Sequence, residues 1–575
     1  MPIFSITTKT TILVEGTRID SFDSITIRQS IHDAHEFRVT FEHDAFEALK
    51  TLFPSVLTQF VRKTIDITVQ GDPSAPALEF KGVITRVDLN QRDDAYWGRL
   101  TIVGHGNAES LRHVPGTATF MDKPVVAIVN ESLSTYTFPK KVLPPAGPAM
   151  IPFCVRYRES TWDFLKRMAY DFGAWFFYDG TTLHFTTQPG AQPALTLTFG
   201  ANLVKFQSGS RAKPTFFKHY DYLPLLDMRL ESESTADLAP YLKPVSSGNA
   251  NPHPAQSMAD MMPYKDNRKA ALGSEESFME GKSLVTNVFP GKTIVIKDSA
   301  LGTGGSSAPQ IVTDVTHFID GVGRYHNRFQ AIPADVVAMP VRNLKRPMAE
   351  TQIGTVIDNK DPNGMGRVRV QMLWMTAPEK TPFIRMTMPS FGLNNMMARN
   401  RGFVFVPAIN DQVMVGFEYN DPERPFVIGA IPHGMNAAID IVDPEKEKHI
   451  SVGSGSTLTF IEEIAKKEIL LQVDPMNFVK ISVPMGIGTI TVQSSLDIMV
   501  KATAHVTVDA PLIDIKGQII NIKGTMVNIE GITTSIKGTA MLTAEGAITT
   551  VKGTGMLMAE SSGLTTVKGG LVMIN

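Results

Sequence analysis

One cysteine, Cys154, is the only thiol among 575 residues. A disulfide framework within the chain is therefore excluded, and so is a Cys-rich zinc site. Charge is also scarce: 19% of residues are Asp, Glu, Lys or Arg, against roughly 25% in an average soluble domain. The net charge is -2 and the pI about 6.7. The basic excess or stripe of a dedicated nucleic-acid binder is missing, so no nucleic-acid partner is expected. No apolar run reaches the ~18 residues that a membrane-spanning helix needs. The N-terminus, MPIFSITTKTTILVEG, has no basic stretch followed by an apolar run of signal-peptide length. The expectation is a protein made and folded in the cytoplasm, which leaves, if it does, by a route without a cleavable signal. Aromatic residues stop early: none follows Phe478.

What is present is apolar. Hydrophobic residues make 43% of the chain, and with a net charge near zero that excludes general disorder. The length suggests roughly four domains at ~150 residues each. Residues 1–340 read mostly as strands, for example Ser24–Arg28, Glu36–Phe41, Leu78–Leu89 and Lys292–Lys297, between Gly, Pro, Asn and Asp breaks. One helix stands out. Ser160 is a good N-cap with Asp163 in capping-box position. Trp162, Leu165, Ala169 and Phe172 recur on one face, and Gly173 is placed as the C-terminal stop. The following AWFFYDGTTLHF predicts a hairpin turning at Asp179-Gly180. Residues 230–275, rich in Pro, Ser, Asn and Gly, read as a long surface loop or insertion.

Residues 345–435 read as a compact all-β unit. Gly366–Trp374 alternates strictly, with Val368, Val370 and Met372 on one face and Arg367, Arg369 and Gln371 on the other. Five or so short strands in ~90 residues suit a small barrel. From about 488 a repeat of seven or eight residues takes over: ITVQ, IMVK, VTVD, IDIK, INIK, VNIE, TSIK, LTAE, TTVK, LMAE, TTVK. Its first and third residues share one strand face and are apolar or Thr, so they face a core. The fourth, from Gln493 through Lys516 and Glu530 to Lys568, faces water. Glycines then stand at the expected corners: Gly517, Gly524, Gly531, Gly538, Gly546, Gly553 and Gly569, with Ser561 the exception. A positive φ, which Gly accepts freely, is the expected reason. Eleven such units make a β-solenoid or an intertwined β-prism. A self-wound single chain and a three-chain prism both fit the spacing.

Four stretches in series resemble one family, the VgrG spike proteins of type VI secretion, relatives of phage tail hubs and needles. They are YRESTWDFLKRMAYDFGAWFFY (Tyr157–Tyr178), HFIDGVGRYHNRFQAIPADV (His317–Val336), the trio DPNGMGRVRVQMLW, RGFVFVPAINDQVMVGF and DPERPFVIGAI, and the C-terminal repeat. The family often writes Pro-Arg-x-Gly-Asp-Glu-Val where this chain has Pro407-Ala408-Ile409-Asn410-Asp411-Gln412-Val413. The resemblance implies a mainly β protein: phage-hub-like β-barrel domains with a small α/β part (1–343), an OB-fold barrel (344–436), a neck (437–487) and a triple-stranded β-helix spike (488–575). It also implies a homotrimer with an Hcp-like tube protein and baseplate at the hub end. At the spike end it implies a PAAR-repeat tip protein with effectors, seated on Leu571, Val572, Met573 and Ile574. A target membrane is met transiently. No domain follows Asn575, so a spike without enzymatic activity is expected.

Sites for chemistry are thin. Gly281-Lys282-Ser283 and Gly291-Lys292-Thr293 lack the earlier P-loop glycine, Glu276 and Thr286 standing there; turn glycines are expected. Asn359-x-Asp361-x-Asn363-Gly364 opens like an EF-hand loop, but position twelve is Val370, so an Asx-rich turn is expected. His32 and His35, with Glu36, lack zincin spacing and read as polar loop residues. Cys154 reads as a buried small hydrophobe. About 50 residues between His433 and the first repeat are too few for a lysozyme-sized domain. No catalytic residue, cofactor or metal is therefore expected. The leading reading is a mechanical spike of a type VI apparatus. An extracellular contractile injection system or a phage tail is the alternative. A β-helix polysaccharide-degrading enzyme comes behind, because its paired acids would be Glu530 and Glu545, which share repeat positions with Lys. An adhesin-like solenoid would need a secretion signal or translocator.

Overall fold

The computed structural model describes residues 6–42, 58–90, 98–145, 150–189, 193–213, 217–234, 248–298, 305–394, 399–435 and 443–574. The chain divides into two compact units, Met1–Ile439 and Asp440–Asn575.

The first unit is built on a 14-stranded sheet. Strand Ser24–Ser30 pairs antiparallel with Glu36–Glu42 in the register Ile25↔Val39 and Ile27↔Phe37. The alternation read from the sequence puts Ile25, Ile27, Phe37, Val39 and Phe41 on one face, and all five are buried with Ile65, Ile67 and Val69. The long hairpin Gln310–Asp320 and Arg324–Pro333 joins this sheet through Ser24–Ser30.

Among the described residues, three α-helices accompany the strands: α1 (Val125–Ser132), α2 (Thr161–Phe172) and α3 (Met258–Gly273). Helix α2 starts and stops where its sequence says. The Asp163 N–H donates to Ser160 Oγ at 3.1 Å, and the Ser160 hydroxyl donates to Asp163 Oδ2 at 2.7 Å. Gly173 is left-handed, φ 70°. It is also short of room: a Cβ there would stand 2.4 Å from Asn267 Oδ1. The helix is buried well beyond its predicted face, because Phe164, Arg167, Met168 and Asp171 are covered too. The hairpin Trp175–Tyr178 and Leu183–Thr186 forms as expected, with the Asp179 carboxylate accepting the N–H groups of Thr181 and Thr182.

The expected loop over 230–275 needs correction. Residues 235–247 lie outside the described residues, but Met258–Gly273 is a helix of 16 residues. Its sequence has little amphipathic pattern and contains Pro263, so propensity argues against it. Packing overrides that: Met261, Tyr264 and Ala271 are buried, and Asn267 Nδ2 donates to the Asp171 carbonyl of α2 at 2.9 Å.

The barrel region is a four-stranded sheet in the order Arg369–Met372, Gln352–Asp358, Gln412–Phe417, Pro425–Ala430. Its core of Val356, Val368, Val370, Val413, Val415 and Val427 also takes in Phe153, Val155 and Tyr157. Those three come from strand Ile151–Glu159, whose Ile151 and Cys154 point into the other core, around α2. One strand thus walls two cores, which is why it reads as a nearly continuous apolar run. At ~1.5–3 kcal/mol for each large apolar side chain, the three residues join hub and barrel firmly.

The second unit opens with a five-stranded antiparallel meander: Glu447–Ser451, Thr457–Glu462, Lys466–Asp474, Asn477–Pro484 and Thr489–Gln493. The last strand contains the first repeat unit. Among the described residues from Ser494 on there is no further strand, and every side chain from Leu496 to Ile574 is exposed. One chain therefore does not make the expected β-helix by itself. A self-wound solenoid would pair its own strands, and this segment pairs none.

Candidate functional site: a buried charge network and an uncovered shaft

The densest polar cluster lies where hub and barrel meet. Arg167 and Asp171 come from α2, Glu159 from the strand shared by both cores, and His253 from the segment ahead of α3. Glu423 and Arg424 come from the DPERP turn of the barrel. Arg167 Nη2 donates to Glu159 Oε1 at 2.7 Å and to the Val155 carbonyl at 2.9 Å, and Nη1 reaches Glu423 Oε1 at 3.4 Å. His253 donates from Nδ1 to Glu423 Oε2 at 2.5 Å and from Nε2 to Asp171 Oδ2 at 3.1 Å. Arg346 closes the far end on Asp171. Arg424 makes a bidentate pair with Asp221, at 2.7 and 2.9 Å. All of these side chains except Arg346 are buried.

The charges balance: Arg167, His253 and Arg346 face Glu159, Glu423 and Asp171. Burial works against a charged imidazole, but Glu423 and Asp171 outweigh it and hold the His253 pKa up at about 9. Burial also opposes ionisation of Glu423, and there the imidazolium and Arg167 win, so its pKa is lowered. Cys154 Sγ, His253 and Glu423 bring ligand-type atoms within 4.8 Å of one another. Both ring nitrogens of His253 and both oxygens of Glu423 are already bonded. A cation could enter only by displacing the imidazole proton or Arg167. Burial pushes the Cys154 thiol pKa well up, so the sulfur is held as a neutral thiol, away from nucleophilic chemistry. The cluster's chemistry is that of a closed ionic clamp.

No direct sign of this clamp stands in the sequence. Its one signal was a polar pair, Arg167 and Asp171, four residues apart on a helix otherwise rich in core residues. The other sequence candidates resolve as follows. Gly281 sits inside strand Ser277–Ser283, not at a turn as expected; a Cβ there would stand 2.4 Å from Phe329 Cζ. Gly291 does occupy a turn, at φ 85°. Asp361 accepts the N–H groups of Asn363, Met365 and Arg367 and a bidentate Arg367 guanidinium, so its carboxylate caps an Asx turn. His32 and His35 do stand in the loop between strands Ser24–Ser30 and Glu36–Glu42, but they are not exposed there. Both are buried, and burial pushes each pKa down to about 4.

The second feature is the uncovered apolar surface of the neck and shaft. Cross-strand register places Ile450, Leu458, Leu471, Val479 and Val492 in one row, and Phe460, Ile469, Ile481 and Ile490 in the next, on the same face. Apart from the partly covered Leu458, these residues are between 39 and 73% exposed. The opposite face is mixed: Thr457, Thr459, Glu468, Lys480, Ser482 and Thr491 stand there together with Ile461, Leu470 and Phe478. Beyond Gln493 the repeat continues the apolar positions with nothing packed on them.

The corner glycines are explained by space, not by dihedral. None of the seven has a positive φ. At each of them the atom nearest to an added Cβ is the carbonyl oxygen of the residue just before the next four-letter unit. In the seven-residue units that distance is moderate: 3.4 Å at Gly517, 3.1 Å at Gly524 and 3.5 Å at Gly531 and Gly546. The eight-residue units at Gly538 and Gly553 fold the extra residue into the corner, and the distance drops to 2.4 and 2.7 Å. Ser561 heads an eight-residue unit whose glycine is displaced by two positions, to Gly563, and the Gly563 N–H donates to Ser561 Oγ at 3.1 Å. The four tip residues are all uncovered, from Val572 at 46% to Ile574 at 91%.

Comparison with known proteins agrees with this architecture. The family model of the phage tail baseplate hub (GPD) matches residues 30–322, just over half of the chain. The type VI secretion system/phage-baseplate injector OB domain matches 352–431. The type VI secretion system spike protein VgrG3 of Vibrio cholerae serotype O1 is 22% identical over 463 residues, 72% of this chain and 44% of that protein. The chain thus spans less than half the length of that curated relative. Among solved structures, the E. coli c3393 protein aligns at TM-score 0.50 and 14% identity, over 73% of this chain and 99% of that one. It is described as a type VI secretion component similar in structure to the T4 tail proteins gp27 and gp5. The Francisella PdpA-VgrG complex, in its lidded form, aligns at TM-score 0.57 and 11% identity, over 85% of this chain and 80% of that one. The likenesses to solved structures carry the fold alone. With the hub model covering half of its length and the injector OB domain following in order, the chain belongs to the phage tail baseplate hub family and resembles the VgrG spike proteins.

Proposed function

We propose that the chain is a structural, non-enzymatic spike of a contractile injection apparatus of the type VI kind, working as a homotrimer. Its hub seats on an Hcp-like tube and baseplate. Its β-helix shaft carries a PAAR-repeat tip protein and effectors and breaches a target membrane. It waits in the cytoplasm and leaves by being fired.

The observation that carries this reading is the uncovered apolar face of the neck. Five strands at ~4.8 Å spacing and five residues at ~3.4 Å cover roughly 400 Å² in projection. That already equals the largest apolar patch of a typical monomer, and the shaft's Ile and Val positions extend it. The shaft also leaves its backbone N–H and C=O groups without a ladder, a state that water tolerates but that pairing with other copies relieves. Second copies of the same segment supply both needs, and three is the number the resemblance implies. Force is then carried by wrapped chains and by the ionic clamp between hub and barrel. No described helix is long and apolar enough to cross a membrane, which suits a part that passes through one under load.

Light scattering on the purified protein tests the reading. The expected mass is about three times 63.0 kDa, and a stable folded monomer at micromolar concentration would sink it.

A further inference from the structure

The shaft carries a second apolar column beside the first and third residues of its repeat. In the neck's last strand, Ile490 and Val492 continue the uncovered apolar face, while Thr489, Thr491 and Gln493 lie on the opposite, mixed one. This sets the parity of the repeat. The first and third residues of each four-letter unit are inner, and the residue just before the unit is outer, with the second and fourth. In the first three units that preceding residue is polar: Thr489, Asp497 and His505. In the eight units that follow, and again before the closing Val572–Asn575, it is Leu, Ile or Met every time but one, from Leu512 and Ile519 through Met541 to Leu571, the exception being Thr533. From Leu512 to Leu564 these side chains are 76–88% exposed, against 48–73% for the inner Ile, Val and Leu positions.

We propose that this outer column is a lipid-contact stripe, which meets the acyl chains of a phospholipid bilayer as the distal shaft passes. The inference rests on the trimeric-spike reading. Its first support is length. When three chains wind together, each unit climbs one strand spacing, ~4.8 Å. The steps from Leu512 to Leu571 then span about 38 Å, between the ~30 Å hydrocarbon core and the ~40–45 Å full thickness of a bilayer. Its second support is charge. From Asp509 to the end there are five Lys against five Asp and Glu, so the distal shaft is neutral and its charges can pair or snorkel beside the column. Its third support is the missing aromatic belt. Trp and Tyr hold proteins at membrane interfaces, and none follows Phe478. Such a shaft wets lipid without being anchored in it. At rest the same contact shows as adsorption at the boundary between headgroups and acyl chains.

The test uses the full-length trimer and phosphatidylcholine vesicles. Thr533 shows that this chain places Thr at the position, so Ile519→Thr, Met526→Thr, Met541→Thr and Ile548→Thr are combined in one variant. The wild type is expected to float with vesicles, and the variant to lose at least fivefold in bound fraction with its trimer mass unchanged. Because Cys154 is buried, an environment-sensitive dye can be placed on Met541→Cys. It should brighten with vesicles, and the same dye on His505→Cys should not. The proposal is overturned if the variant floats like the wild type, if both dye positions respond alike, or if the wild type does not float. It is also overturned if the variant trimer falls apart, since a neighbouring copy is then the column's occupant. A wild type that is monomeric by light scattering is a separate result and removes the spike reading itself.

Discussion

Glu423, on the barrel's DPERP turn, accepts a 2.5 Å hydrogen bond from His253, on the hub segment ahead of α3, and both side chains are buried. The pair ties two regions 170 residues apart in sequence. Its neighbours decide its energetics, because Arg167 and Asp171 complete the charge balance on either side.

Removing both partners should therefore cost less than the sum of removing each alone. Glu423→Gln leaves His253 and Arg167 short of a carboxylate, and breaking a buried pair costs about 3–5 kcal/mol. Adding His253→Gln takes away the stranded positive charge. The double variant is expected to recover at least 1 kcal/mol relative to additivity, read from denaturant unfolding of the first unit. Strict additivity would show that the two groups do not act as a pair.

The clamp should also weaken in base. The His253 pKa is raised from 6.5 to about 9 in the folded chain. Its stabilisation is fully present below pH 6.5 and is lost as pH rises through 9. Thermal unfolding should move down between pH 7 and pH 10, and His253→Gln should flatten that part of the curve. A wild-type and a His253→Gln curve that fall in parallel would assign the loss to other groups.

What the sequence made legible was whatever repeats or caps. Ser160, Asp163 and Gly173 bracket α2 because capping is local chemistry, and Val368 and Val370 point inward because a strand has period two. What it hid was long-range. Helix α3 has weak periodicity and an internal Pro263, so only its contacts with α2 reveal it. The burial of Arg167, Asp171 and His253 depends on partners 82 to 256 residues away. The corner glycines were legible as a pattern, yet their cause was not, since a φ angle and a missing Cβ leave the same mark in sequence.

That correction ranks the corners. An alanine Cβ at Gly538 would stand 2.4 Å from the Met541 carbonyl oxygen, while at Gly531 the nearest atom, the Thr533 carbonyl oxygen, is at 3.5 Å. Gly538→Ala should destabilise the shaft by about 1–3 kcal/mol per chain, as overpacking does. Gly531→Ala should cost less than about 1 kcal/mol, the range of ordinary surface substitutions. Thermal dissociation of the assembled protein compares them directly, and equal effects would refute the steric account.

The last prediction concerns the tip. Lys568 is followed by Gly569 and Gly570 and then by Leu571, Val572, Met573 and Ile574, all uncovered. Uncovered apolar side chains beside unpaired strand edges attract a partner or must be covered, and these four residues are expected to meet one. The partner proposed above is a conical PAAR-repeat protein. Changing Leu571, Val572, Met573 and Ile574 to Ser should leave the assembly's mass unchanged, because the neck sheet and the upstream units remain. Capture of the cone in a pull-down should fall at least tenfold, and secretion of the spike should fall with it. A second variant, with Leu512 and Ile519 changed to Ser, alters the same residue types far from the end and should capture the cone normally. If the tip variant binds its cone at full strength, the platform lies elsewhere. If both variants lose capture equally, the loss reflects general damage to the shaft and the assignment of these four residues fails.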